Sequence, residues 1–218
     1  EFLMLIKGRM SSPVITVEPN LPIMDALELM KSKGIRRTPV MKDGKLVGII
    51  SDKDLLNAAP SDATSLSVWE LNYLLGKISV AEIMTKEVFT VTEDTPIEEA
   101  AHLMATEKIG GLPVMSDGHL VGLITETDLF RIFLELMGAQ QDGVLVTAIV
   151  PDKIGELDVL THAIAEAGGE FIAFSQFEGD VSTNRSVTFK VRGLDEEQVW
   201  QKIEPYIEEL VDIRTCCY

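Results

Sequence analysis

The chain carries the same pattern of residues twice. Met10 to Leu56 aligns with Met84 to Phe130 without a gap, at a constant offset of 74, and 21 of the 47 aligned pairs are identical. Agreement at this level indicates an internal duplication. A unit this short cannot cover both faces of its own sheet, so we expect the two copies to pack on each other about a pseudo-twofold axis.

Each copy is predicted to contain a strand, a helix, a hairpin and a second helix. The first helix is indicated by Ile23, Ala26, Leu27 and Met30, which recur at helical spacing. The hairpin is indicated by Asp43-Gly44, a strong turn signal between two apolar runs. In the first copy the elements are expected at Val14 to Val17, from Pro22, at Pro39 to Met41, at Leu46 to Ile50, and from Ser51 or Asp52.

A polar stretch and a further helical pattern separate the copies. Asn57 to Thr64 predicts a loop, because it is polar and contains a proline. A connecting helix is predicted from the helical spacing of Leu66, Trp69, Tyr73 and Leu74. We therefore place the first copy at residues 4–60, the connecting loop and helix at 61–79, and the second copy at 80–138.

The repeated pattern resembles the CBS domain, named after cystathionine β-synthase, in its usual tandem pair. Its most specific parts are Gly48 to Asp54 and Gly122 to Asp128, which share a glycine, two apolar residues, Ser or Thr, two variable residues and Asp. In that family the Ser or Thr faces the phosphate or ribose of an adenosine-type ligand lying between the copies, and the Asp accepts from ribose hydroxyls. The residues that the resemblance places in these roles are Ser51, Asp54, Thr125 and Asp128.

Other positions are implied by the same resemblance. The adenine would need an apolar slot with backbone partners, although residues at such positions are more often simply core. The residues that correspond to this slot are Thr16, Val17, Ile35, Thr90, Val91 and Ile109.

The two Ser/Thr and Asp pairs have a second interpretation. Ser51 with Asp54 and Thr125 with Asp128 are also well-formed capping boxes, in which hydroxyl and carboxylate satisfy free N–H groups at a helix start. A helix start is itself suited to anions, so capping and ligand contact can coexist. Both interpretations stay open at the level of sequence.

A pair of arginines distinguishes the first copy from the second. Arg36 and Arg37 stand where the second copy has Gly110 and Gly111. A guanidinium suits phosphate by its charge and its fork geometry, and basic residues at these positions face phosphates in CBS relatives. The resemblance therefore implies unequal clefts, with the second empty or holding a less charged ligand such as S-adenosylmethionine. The cleft expected to prefer AMP, ADP or ATP involves Arg36, Arg37, Ser51 and Asp54. The alternative is a solvated arginine pair on a loop.

The last third of the chain does not continue the repeat. After the polar break at Gln140 to Gly143, periodicity and turn residues predict the order βαββαβ, which is ferredoxin-like. The fold class is therefore α+β. The predicted elements are the strand Val144 to Val150, the helix Ile154 to Ala167, the strands Phe171 to Phe177 and Ser186 to Val191, a helix capped by Asp195 and running to about Ile207, and the strand Leu210 to Cys216.

This segment, at residues 144–216, resembles the ACT domain, a small-molecule regulatory module often specific for amino acids. The resemblance is carried by Pro151 to Leu157 at the first turn from strand to helix. It implies that Asp152, Ile154 and Gly155 contact a ligand; alternatively, Gly155 only allows close helix packing and the domain only dimerises. Two CBS-like units followed by an ACT-like unit resemble the bacterial acetoin-utilisation (AcuB) family, which implies a link to acetoin catabolism.

Charge and composition exclude several classes of partner. Nineteen basic against 35 acidic side chains give a formal charge of −16, which repels nucleic acid and anionic lipid. The longest apolar runs fall far short of the ~20 residues needed to span a bilayer. The only two cysteines, Cys216 and Cys217, are adjacent, so we expect no disulfide framework and a reducing, cytoplasmic setting.

No catalytic motif is recognisable in the sequence. His102, His119 and His162 are scattered, and the chain has no nucleophile elbow, zinc-protease motif or phosphate-binding loop. We therefore predict a non-catalytic regulatory protein, with no cofactor or metal, that senses an adenosine-type nucleotide and self-associates as a homodimer, with a protein partner downstream. The alternative is a constitutive oligomerisation or adaptor protein with vestigial clefts.

Overall fold

The computed structural model describes residues 4–58 and 76–217. These residues form two compact units, Glu1–Leu129 and Phe130–Tyr218. The predicted connecting helix and most of the loop before it lie outside the described residues. The elements of the first unit are the helices α1 (Ile23–Lys33), α2 (Asp52–Asn57), α3 (Val80–Ile83), α4 (Ile97–Glu107) and α5 (Glu126–Leu136, which ends in the second unit), and the strands β1 (Arg37–Lys42), β2 (Lys45–Ser51), β3 (Val91–Thr92), β4 (Gly111–Ser116) and β5 (His119–Thr125).

The two hairpins have the same geometry. Strand β1 pairs antiparallel with β2, and β4 pairs with β5 in the equivalent register, including a shift at the same position in each copy. The turn residues Asp43 and Gly44 have φ angles of 50° and 76°, and Asp117 and Gly118 have 48° and 79°. Two consecutive positive φ angles define the tight hairpin turn for which an Asp-Gly pair is suited.

The first predicted strand is shorter than expected. Within Val14 to Val17, only Val17 forms a bridge, parallel to Val40, and the equivalent β3 has two residues. Val17 makes both backbone hydrogen bonds of this bridge, donating to the Pro39 carbonyl and accepting from the Met41 N–H, while the Ile15 carbonyl accepts a hydrogen bond from the buried Thr38 hydroxyl. An apolar run was therefore not sufficient to define the strand.

The copies exchange the short segments that precede them. Ser11 bridges to Leu123 in the second copy, and Thr85, which is equivalent to Ser11, bridges to Ile49 in the first. The side chains follow the same exchange, because a Cβ placed on Gly122 would lie 2.1 Å from the Met10 sulfur, and one on Gly48 would lie 2.5 Å from that of Met84. Reciprocal contacts of this kind are what a pseudo-twofold pair requires.

The exchange also completes both hydrophobic cores. Ile6, which is fully buried, belongs to the core of the second copy, together with Met104 and Ile124. Val80, its equivalent, is fully buried in the core of the first copy, together with Met30. The core of each copy therefore contains a residue from the segment that precedes the other copy.

The second unit is β-rich, and its elements have the predicted order βαββαβ. Its four strands form one antiparallel sheet in the order β7-β8-β6-β9, with a core that includes Phe189 and Leu160. The elements that lie wholly within this unit are β6 (Gly143–Pro151), α6 (Glu156–Glu166), β7 (Glu170–Glu178), β8 (Asn184–Arg192), α7 (Glu196–Ile203) and β9 (Glu209–Cys216).

Two predicted helix boundaries in this unit are wrong. Helix α6 starts at Glu156 rather than Ile154, because Gly155 precedes it with φ of 91° and Ile154 is fully exposed. Helix α7 begins after Asp195 as predicted, with a capping box, but ends at Ile203. A short 3-10 turn containing Pro205 follows, because proline cannot continue the α-helical hydrogen bonds.

Candidate functional site

The first candidate corner lies where β2 meets α2. The Ser51 hydroxyl donates to Asp54 Oδ2 at 2.6 Å, and the backbone N–H of Ser51 donates to the same oxygen at 2.9 Å. The backbone N–H of Asp54 donates back to the Ser51 hydroxyl at 3.3 Å. These bonds confirm the capping-box interpretation for this pair. Contact with a ligand stays a prediction.

The second corner, between β5 and α5, repeats this geometry. The Thr125 hydroxyl and backbone N–H both donate to Asp128 Oδ2, at 2.6 and 2.9 Å. All four corner residues are half-buried. Each carboxylate is therefore held in one orientation by its own Ser or Thr, which fixes a polar group at the matching place in both copies.

Arg36 connects the first copy to the second corner. Its Nη2 donates to Thr127 Oγ1 at 2.7 Å, and Thr127 stands between Thr125 and Asp128 in the sequence. The resemblance grouped Arg36 with Ser51 and Asp54, whereas the described contact is with the other copy. The Arg36 side chain is otherwise exposed.

Arg37 also crosses to the second copy, where the glycine pair makes room for it. A Cβ on Gly110 would lie 2.2 Å from Arg37 Nη2 and 2.6 Å from Glu126 Oε2, and a Cβ on Gly111 would lie 2.8 Å from Arg37 Cδ. Side chains at these two positions would collide with the arginine. The absence of Arg at the equivalent positions of the second copy is thus what allows the first copy's Arg37 to occupy this space.

The environment of Arg37 is electrostatically mixed. Burial lowers the pKa of the guanidinium, while Glu126 opposes this shift most strongly and Arg36 adds to it. Asp52 and Asp54 also act on Arg37 and favour its charged form. The guanidinium therefore lies close to acidic groups of both copies, at the junction between the two corners.

The residues that correspond to the adenine slot divide into two kinds. Thr16 and Thr90 are exposed, and the adjacent Val17 and Val91 are buried in the cores of their copies. Ile35 and Ile109 are half-buried and pack against the same cores. The valines and isoleucines therefore belong to the hydrophobic cores, which was the alternative to contact with adenine. The threonines are accessible to solvent.

A separate pocket lies in the second unit, at the turn between β6 and α6. Its cavity volume is about 60 Å³, and it opens to solvent. Asp152 lines it and accepts an ion pair from Arg185 Nη2 at 2.9 Å. Ile154 and Gly155, which were predicted with Asp152, do not line it. The other lining residues are Val150, Pro151, Lys153, Glu156, Leu157, Leu160, Gln176 and Val187.

Arg185, which the sequence did not single out, is the central cation of this pocket. Its Nε atom is buried and has no hydrogen-bond partner within the described residues. The hydrogen bond to Asp152 raises the pKa of the guanidinium, so Arg185 stays charged. A lone arginine at the start of the strand Asn184–Arg192 gave no motif by which sequence reasoning could have found it.

Residues 4–58 and 76–217 offer neither a metal centre nor a membrane-spanning helix. Within these ranges there is no group of three His, Cys, Asp or Glu side chains placed to hold a metal ion. None of the helices they form has the length and apolar character needed to cross a membrane. Of the histidines, His162 pairs with Glu166 on the exposed face of α6 at 3.3 Å.

Comparison with known proteins identifies the first unit. A family model for the CBS domain matches residues 6–61 and 80–135, which together exceed half of the chain. The chain belongs to the CBS domain family.

The relatives differ in what surrounds the CBS pair. L-aspartate semialdehyde sulfurtransferase of Methanocaldococcus jannaschii is 34% identical over 131 residues, which are 59% of this chain and 23% of that protein. Inosine-5'-monophosphate dehydrogenase of Thermoplasma acidophilum is 31% identical over 82% of this chain and 34% of its own length. A CBS domain-containing protein of Dictyostelium discoideum is 33% identical, with coverage of 61% and 93%. The chain therefore spans only about a quarter to a third of the length of the sulfurtransferase and the dehydrogenase.

Solved structures agree with this assignment. The CBS domain pair of protein MJ0100, in complex with 5'-methylthioadenosine and S-adenosyl-L-methionine, is 33% identical with a TM-score of 0.51. It is matched over 63% of this chain and 98% of that one. An acetoin utilization protein (AcuB) from Vibrio cholerae is 31% identical with a TM-score of 0.51, over 62% of this chain and 94% of that one.

Proposed function

We propose that this protein is a non-catalytic regulator that binds an adenosine-type nucleotide between its two CBS copies. The observation that carries the proposal is the pair of equivalent corners, Ser51 with Asp54 and Thr125 with Asp128, with two arginines at their junction. Support comes from the similar CBS pair of MJ0100, whose structure contains 5'-methylthioadenosine and S-adenosyl-L-methionine.

The chemistry of the corners suits the parts of such a ligand. A fixed carboxylate accepts hydrogen bonds from ribose hydroxyls, and a guanidinium offers paired N–H donors to phosphate. The corner carboxylates are already oriented by their caps, so little ordering is needed on binding. In the proposed complex, Arg36 and Arg37 contact the phosphates, and Asp54 or Asp128 contacts the ribose.

Titration calorimetry tests the proposal directly. Wild-type protein titrated with AMP, ADP, ATP and S-adenosylmethionine should give saturable heat with at least one ligand. The double variant Asp54→Ala, Arg37→Ala should bind that ligand at least about tenfold more weakly, because it loses a ribose acceptor and a phosphate donor.

A matched control separates lost contacts from lost caps. Glu82→Ala removes the carboxylate of the Ser79–Glu82 capping box at α3, which has the same geometry but lies outside the proposed site. It should bind like wild type. If wild type gives no heat with any of the four ligands, the proposal is wrong, and the alternative of a constitutive adaptor with vestigial clefts is favoured.

A second function is favoured by the pocket of the C-terminal unit. We infer that this unit is an ACT-like module that binds a small molecule resembling an amino acid. The pocket combines an apolar wall, which includes Leu157 and Leu160, with the oppositely charged Asp152 and Arg185. Such a lining matches a ligand that carries both charges and an apolar side chain. In this proposal Asp152 contacts the ligand, whereas Ile154 and Gly155 lie outside the pocket lining.

Thermal shift measurements with the standard amino acids test this second site. A binding amino acid should raise the melting temperature of wild type but not of Arg185→Met. Arg192→Met is the control, because Arg192 lies on the same strand and forms an exposed ion pair with Glu170 at 2.7 Å. No shift with any amino acid, or an equal shift in the Arg185 variant, would contradict the assignment.

The remaining parts of the proposal concern context. We propose a cytoplasmic homodimer with a protein partner, and a role in acetoin utilisation; only this last part is supported by the likeness to AcuB of Vibrio cholerae. Light scattering of the purified protein should give twice the mass of the 24.0 kDa chain. A mass of one chain at micromolar concentration would exclude the dimer.

A further inference from the structure

Glu126 shares its immediate surroundings with Arg37. The same point above Gly110, where a Cβ would stand, lies 2.2 Å from Arg37 Nη2 and 2.6 Å from Glu126 Oε2. Glu126 is the residue directly after Thr125 and is exposed. The Glu126 carboxylate thus lies within about 5 Å of the Arg37 guanidinium, at the place where the proposed ligand would bring its phosphate.

The equivalent residue of the first copy is engaged elsewhere. Asp52 corresponds to Glu126, but its Oδ1 accepts a hydrogen bond from the backbone N–H of Lys53 at 2.8 Å. Arg37 leaves its own copy and lies across the glycine pair of the other. Of the acidic groups that act on the guanidinium, Glu126 acts most strongly, ahead of Asp52 and Asp54.

We propose that Glu126 determines how strongly the site prefers phosphate-bearing over uncharged adenosine-type ligands, because its carboxylate competes with a ligand phosphate for the Arg37 guanidinium. The inference rests on the proposed nucleotide site. A phosphate can bind Arg37 only by displacing this carboxylate or by lying close to it. Either event costs binding free energy that a ligand without a phosphate does not lose.

Two ligands that share adenosine test this role. AMP carries a 5' phosphate, and 5'-methylthioadenosine carries none. The substitution Glu126→Gln keeps the shape of the side chain and removes its charge. It should tighten AMP binding by roughly threefold to tenfold and leave 5'-methylthioadenosine within about twofold of wild type.

A charge-matched control accompanies this variant. Glu99→Gln makes the same change in net charge on α4, and Glu99 is exposed and is not among the charges that act on Arg37. It should leave the affinity for AMP unchanged. An equal gain in both variants would mean that net charge, rather than position, is responsible, and would overturn the inference.

A double-mutant cycle decides whether Glu126 acts through Arg37. In an Arg37→Met background, Glu126→Gln should no longer change the AMP affinity relative to 5'-methylthioadenosine. If the effect persists in that background, or is absent in the wild-type background, the inference is wrong while nucleotide binding stands. If wild type binds neither ligand, the proposed site itself is wrong. Circular dichroism melting of each variant shows that it is folded.

Discussion

At the scale of single residues, the two copies place different residue types at one position that has the same backbone conformation in both. Gly34 ends α1 with φ of 63°, and its counterpart Lys108 ends α4 with φ of 55°. Both residues are in the left-handed region, which glycine enters without cost and lysine does not. The second copy therefore holds a strained residue where the first has none.

Lys108→Gly should stabilise the protein. The substitution removes the side-chain conflict of the left-handed conformation at the end of α4, and we expect a gain of about 1 kcal/mol in the free energy of unfolding. Urea unfolding measures it. Lys108→Ala is the control, since alanine keeps a Cβ and should give no comparable gain. A loss of stability in the glycine variant would contradict the account.

The sequence predicted some residue roles and could not predict others. The caps at Ser51 and Asp195 follow from residues within three positions of each other, and they are present. The position of Arg37 depends on Gly110 and Gly111, which are distant in the chain and belong to the other copy. Residue spacing alone does not report such a contact.

At the scale of elements, helices and hairpin turns could be predicted from local residue patterns. The extent of a strand depends in addition on which other strand it pairs with. The helix from Pro22 and the Asp43-Gly44 hairpin were correct because spacing and turn chemistry are local. The strand at Val14 to Val17 was predicted too long, since within this run only Val17 forms a bridge, to Val40. The exchange of the segments that precede the two copies was not predicted. The repeat shows which residues of the two copies are equivalent, but not which copy each segment packs against.

Shortening the Ile6 side chain, which lies ahead of the first copy, should destabilise the second copy. Ile6→Ala removes a fully buried side chain from the core that contains Met104, and we expect a loss of about 2–5 kcal/mol in the free energy of unfolding. Hydrogen exchange should show faster opening of α4 and β4 than of α1 and β1. Val80→Ala is the symmetric counterpart and should reverse this order. Faster exchange in the first copy after Ile6→Ala would refute the exchange.

At the scale of the whole molecule, charge and topology followed most directly from the sequence. The order βαββαβ in the C-terminal unit was correct because its helical and strand periodicities are distinct. The formal charge of −16 is a property of composition alone. It sets a background that repels any anionic ligand, so the proposed nucleotide site has to offset this repulsion locally.

Added salt should raise the melting temperature. Screening of the net negative charge relieves repulsion within the folded chain, so the midpoint should rise between about 0.02 M and about 0.5 M sodium chloride. Potassium chloride should act alike, since screening does not depend on the identity of the cation. A midpoint that falls with salt would mean that local ion pairs outweigh the net repulsion.

The exchanged segments change what a deletion would do. Shortening the chain to start at Met10, the first residue of the repeat, would leave both repeated stretches of sequence complete. It would nevertheless remove Ile6 and leave a void in the copy that begins more than seventy positions later. Neither half of the pair can therefore be excised at its repeat boundary and still carry a complete interior.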